Sequence, residues 1–108
     1  MLDAYLAAVR DGDDAALAAC YAEDCVWLTA EGPRHGRDAA MARHRELRDR
    51  MPGLVRVGWD RIEQQGAHAA LWWTGRDEAG TAVARGMALM EIRAGAVRLK
   101  ADHVVPAT

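Results

Sequence analysis

A chain of 108 residues has room for one domain, taken here as 1–108. With 51% hydrophobic and 28% charged residues it can build a core, and its net charge of −2 leaves no basic surplus for nucleic acid. No run approaches a membrane span, and the opening residues lack the charged and apolar regions of a signal peptide, so the cytoplasm is the expected compartment. Leu2, Tyr5, Leu6 and Val9 make one helical stripe, which Gly12 ends. Asp13 caps a second helix whose apolar side is Ala16, Leu17, Cys20 and Tyr21. Glu23-Asp24 is a break, and Cys25 to Ala30 is rich in strand formers. Glu31-Gly32-Pro33 is a turn, and Arg34-His35-Gly36 a connector. A third helix runs from Asp38 to about Met51 and stops at Pro52-Gly53. Alternating strands follow at roughly 54–64, 67–76, 81–93 and 96–105.

Helices gathered before an antiparallel meander mean an α+β domain. The expected form is a cone: a curved antiparallel sheet, or half-barrel, covered by three helices and open at one end as a pocket. The element order argues against a ferredoxin-like barrel, where helices would not precede most strands. Cys20 and Cys25 have no partner cluster, so they read as small hydrophobes and no metal site is expected.

The aromatic usage is unusual: four Trp, two Tyr and no Phe, among 23 Ala and ten Gly. Trp72 and Trp73 are adjacent, so one must face inward and the other outward. Trp27, Trp59 and Trp73 are candidate pocket walls, suited to a flat apolar ligand, although core or interface filling explains each as well. On the last strand, parity groups Val97, Leu99, Ala101, His103 and Val105 as the apolar, inward set. That makes His103 a candidate general base and turns Asp102 outward, unless a bulge shifts the register. On the third helix Ala40, His44, Leu47 and Met51 share a stripe, with His44 a second donor or orienter, while Arg43 takes a wet face. Gly86 and Ala88 on the penultimate strand leave room for a ligand, with Met87 and Met90 as soft gap-fillers, or the strand simply packs the sheet.

The run Tyr5-Leu6-Ala7-Ala8, Gly12-Asp13, Leu17, Tyr21-Ala22-Glu23-Asp24, Val26-Trp27-Leu28, Gly36-Arg37-Asp38-Ala39-Ala40 and Gly95-Ala96-Val97 resembles the nuclear transport factor two and ketosteroid isomerase superfamily, in its SnoaL-like polyketide cyclase group. The resemblance implies the cone-shaped fold and a pairing of two copies through the sheet. It does not fix a chemistry, because the superfamily holds isomerases, cyclases, dehydratases, epoxide hydrolases and binding modules. The isomerases' catalytic Asp falls at Thr29 and their acid near Ala88, so neither group is present. Two readings stay open. One is cofactor-independent acid–base catalysis on a hydrophobic cyclic or polyketide-like substrate, with Trp27, Thr29, Trp59, Trp73, Ala88 and Met90 around it. The other is a non-catalytic binder of a small apolar ligand, or a dimerising scaffold.

Overall fold

The computed structural model describes residues 1–107. Helix α1 (Leu2–Asp11) ends at Gly12, whose left-handed φ of 66° suits a residue without Cβ. Asp13 then caps α2 (Asp14–Cys20) by accepting from the Ala16 amide at 3.1 Å. Strand β1 (Tyr21–Thr29) follows at once, then a short β2 (Gly32–His35), helix α3 (Arg37–Asp49) and four long strands: β3 (Arg56–Gln65), β4 (His68–Arg76), β5 (Ala82–Arg93) and β6 (Ala96–Pro106).

The six strands form one open sheet in the order β2-β1-β6-β5-β4-β3. With three helices on one side, this is the expected α+β half-barrel. Three details differ from the sequence reading. The expected break at Glu23-Asp24 lies inside β1, which already begins at Tyr21 rather than leaving that residue on α2. The sheet is mixed, because β1 returns beside β6 in parallel. The expected turn and connector at 32–36 include a strand, since Arg34 and His35 pair with Trp27 and Val26.

Strand pairing aligns the inner face in rows. One row is Trp27, Lys100, Met90 and Ala69; the next is Asp102, Ala88 and Leu71; the third is Val104, Gly86, Trp73 and Trp59. Helical side chains led by Leu2, Tyr5, Leu17 and Met41 close over these rows to make the core.

The β6 rows correct the parity argument. Glu91 pairs with Leu99 and Ile92 with Val97, so Arg98 is an extra residue, a bulge that reverses the face of everything beyond it. Val97 is inward as expected, but Lys100, Asp102 and Val104 follow it there, and Leu99, Ala101, His103 and Val105 turn outward. A second correction concerns Arg43, which is 7% exposed rather than on a wet face. Helix α3 packs against both β1 and β2, so that hairpin covers the flank carrying Arg43 and Glu46. Arg34 on β2 bonds Glu46 at 2.8 Å, and Arg43 Nη1 lies 3.7 Å from the other Glu46 oxygen.

Candidate functional site

Between the helices and the inner face lies a cavity of about 260 Å³. Its floor is Ala88, Lys100 and Asp102. Its walls include Tyr5, Leu17, Leu47, Val57, Trp59 and Trp73, with His44 among them. Charged residues ring the mouth; Arg10 pairs with Asp11 at 2.9 Å and Arg48 with Asp14 at 3.1 Å.

The floor is organised by the one lysine of the chain. Lys100 is 5% exposed, and its Nζ donates to Tyr5 Oη at 2.8 Å and to Tyr21 Oη at 3.4 Å. The same nitrogen stands 3.8 Å above the centre of the Trp27 ring, an attractive place for a positive charge. No carboxylate of the described residues lies within ion-pair distance of it. The indole edge serves a different group: Trp27 Nε1 donates to Asp102 Oδ1 at 3.0 Å. One buried ring thus holds a cation on its face and a carboxylate at its N–H. Asp102 Oδ2 has no partner among the described residues.

His44 and Tyr21 stand behind Lys100, with Tyr21 Oη 2.7 Å from His44 Nε2. Burial pushes the His44 imidazole well below its ordinary value of 6.5, and the charges of Lys100 and Arg48 add to this. Burial, and next the neighbouring Tyr5, push the Tyr21 phenol well above its ordinary 10.0. Both groups are therefore neutral near pH 7. The Tyr21 O–H donates to the imidazole, which leaves the Tyr21 oxygen free to accept from Lys100. Tyr5 Oη accepts from Lys100 and lies beside the Tyr21 hydroxyl, with which it also shares a hydrogen bond, at the edge of the cavity.

The sequence-derived candidates separate. His44, Trp59, Trp73 and Ala88 line the cavity. Trp27 lies beneath the floor, 1% exposed, its ring 4.9 Å from that of His44. Met90 is buried beside Lys100 on the neighbouring strand. Thr29 closes the β1–β2 turn, donating to the Gly32 carbonyl at 2.8 Å and accepting from the Glu31 amide, away from the cavity. His103 is exposed on the outer face, because the Arg98 bulge carries it there. The space expected at Gly86 is taken by the Trp73 indole, which lies where a Cβ would stand. Trp72 is the outward member of the pair, with the Arg61 guanidinium 5.0 Å from its ring.

Tyr5, Tyr21 and Lys100 are not singled out as site residues by the sequence, and Asp102 enters there only on the condition of a bulge, which Arg98 supplies. The signal for Lys100 was present: 13 Arg stand against this single Lys. Among the described residues no three of His, Cys, Asp and Glu converge as metal ligands would.

The SnoaL-like domain family model matches residues 2–99. No curated protein matches the chain. Solved structures with the same fold include a candidate isomerase of the SnoaL-like family from Agrobacterium tumefaciens, 18% identical at a TM-score of 0.76, covering 96% of this chain and 93% of that one. A candidate polyketide cyclase from Sinorhizobium meliloti is 16% identical at 0.76, covering 94% and 92%. A protein of ketosteroid isomerase-like fold from Catenulispora acidiphila, solved with trimethylamine, is 20% identical at 0.69, covering 94% and 82%.

Proposed function

The chain belongs to the SnoaL-like domain family, and on that premise we propose that it catalyses acid–base chemistry without a cofactor on a small hydrophobic carbonyl compound. The reaction type is proton abstraction and return next to the carbonyl, as an isomerase or cyclase requires. One observation carries this reading: a carboxylate whose Oδ2 has no partner among the described residues, Asp102, lines the same cavity as the Tyr5 hydroxyl. Asp102 is the base, fixed through Oδ1 by the Trp27 indole. Tyr5 donates to the oxygen on which negative charge develops, and Lys100 behind it makes that phenol a stronger donor. Low polarity in the walls strengthens both interactions. His44 is a positioning residue: it engages the Tyr21 proton and so fixes where Tyr21 can hold Lys100.

The acid that the resembled isomerases carry near Ala88 is absent, yet Asp102 is paired directly with Ala88 on the next strand. A carboxylate is thereby returned to the same row of the inner face. Asp102→Asn tests the assignment. With 2-tetralone in deuterated water, the wild type takes up deuterium beside the carbonyl faster than the buffer reaction, and the Asn variant loses this by roughly two to four orders of magnitude. Equal rates in the two proteins would falsify the base assignment. Thr29 supplies no carboxylate, which favours the second reading, a binder: there 2-tetralone would quench Trp fluorescence with no exchange.

We assign two partners, a small hydrophobic molecule in the cavity and a second copy of the chain on the outer sheet face. Leu28, Leu89, Leu99 and Val105 are all exposed on that face, with Met87, Ala101 and Trp72 among them. Arg85 and Glu91 flank the apolar rows, so the face carries both signs and can complement itself about a two-fold axis. No helix is long and apolar enough to cross a membrane. Cys20 and Cys25 are free thiols, which supports a reducing compartment such as the cytoplasm.

A further inference from the structure

The geometry points to Lys100 as an imine-forming amine for aldehydes and ketones that enter the cavity. The inference rests on the reading above only for the carbonyl class of the ligand. Its own basis is the choice and placement of the residue. The chain meets every other need for positive charge with arginine and uses lysine once, on the cavity floor. A guanidinium holds its proton permanently, whereas an amine can release one and attack carbon. Lys100 is buried, free of any carboxylate within ion-pair distance, and held at two tyrosine oxygens. Its neighbours supply the proton transfers that the reaction needs. Tyr5 Oη is 2.8 Å from the nitrogen and is a hydroxyl that can both accept and give a proton. Asp102 lies two residues along β6 on the same face.

The cation first gives up a proton, which passes by way of the hydrogen-bonded Tyr5 hydroxyl and water admitted to the cavity to the Asp102 carboxylate. The neutral amine then adds to the carbonyl carbon: a C–N bond forms, and the π electron pair moves to oxygen, which takes the Tyr5 proton. The nitrogen's second proton returns to the Tyr5 oxygen. Asp102 next protonates the hydroxyl of this carbinolamine, which departs as water as the nitrogen lone pair forms the C=N bond. One water is released and no oxidant or reductant is consumed. The resulting iminium acidifies the neighbouring C–H, and this is the bond that Asp102 is placed to break.

Having a single lysine makes the test direct. Folded protein is treated with benzaldehyde and sodium cyanoborohydride at neutral pH, digested and mapped by mass spectrometry. One benzyl group on Lys100 is the expected product, formed in preference to the α-amine at Met1. The Lys100→Arg variant should lose that label and keep its circular dichroism. In urea the preference should pass to the α-amine at Met1, which is the less protonated of the two in an unfolded chain. Labelling confined to Met1, or none on the folded chain, overturns the proposal. The wild-type map does not depend on the variant folding. If deuterium exchange still depends on Asp102 while Lys100 stays unlabelled, the acid–base reading stands and the imine fails. If Lys100 is labelled but no exchange occurs, the imine stands and the acid–base reading fails.

Discussion

Trp27 is the residue on which the two charges of the cavity floor meet. Its ring face lies 3.8 Å from Lys100 Nζ and its N–H bonds Asp102, so each charge is held without a direct ion pair. His44 contributes differently, as a neutral acceptor behind the floor. Because its folded imidazole titrates well below the ordinary 6.5, the unfolded chain binds the extra proton first as pH falls. The stability owed to neutral His44 is full above that ordinary value, and drains away as pH falls below it toward the folded pKa. Urea denaturation at pH 7.5 and pH 5.5, values about one unit to either side of ordinary His, should show the wild type losing stability at the lower pH. His44→Gln should be flatter between the same two conditions; an identical dependence in the two proteins would remove His44 from this role.

At the scale of elements, the Arg98 bulge decides which β6 side chains meet the cavity. The four long strands, the helices and their apolar stripes were legible because hydrophobic period, capping and glycine punctuation each leave a local trace, whereas β2 and the burial of Arg43 were not. The bulge left no such trace. Alternation from Val97 to Val105 assigns the apolar set to one face, and nothing local marks Arg98 as surplus. A charged Lys100 then reads as the solvent side, when its burial depends on Tyr5, Tyr21 and Trp27 from other elements. The same hairpin offers a test of turn chemistry. Ala94 and Gly95 form its two-residue turn with φ of 50° and 74°, a conformation that disfavours a residue with Cβ. Ala94→Gly should therefore stabilise the fold by about 1 kcal/mol, less the entropy glycine adds to the unfolded chain. Thermal unfolding reads this directly, and a lowered midpoint would mean that the strain at Ala94 is relieved in some other way.

For the whole molecule, one sheet carries two apolar faces. The inner face packs under the helices, while the outer face exposes Leu89 at 51% and Leu28 at 45%. This is why the parity rule gave the wrong inner set on β6: with apolar residues on both sides, hydrophobicity no longer distinguishes them. It is also the basis for expecting a dimer. Leu89→Asp, in the middle of the outer face, should convert the dimer to a folded monomer in sedimentation; a wild type that sediments as a monomer contradicts the pairing.

Both chemical proposals for this molecule depend on Lys100 and Asp102 sharing the floor of a ligand-binding cavity. Selective ¹⁵N-lysine labelling gives one side-chain signal, because the chain has one lysine. The expected signal is protected from rapid exchange with water. It shifts when 2-tetralone is added, and shifts again in the Asp102→Asn variant. A signal that exchanges like free lysine and ignores both changes would contradict the shared floor.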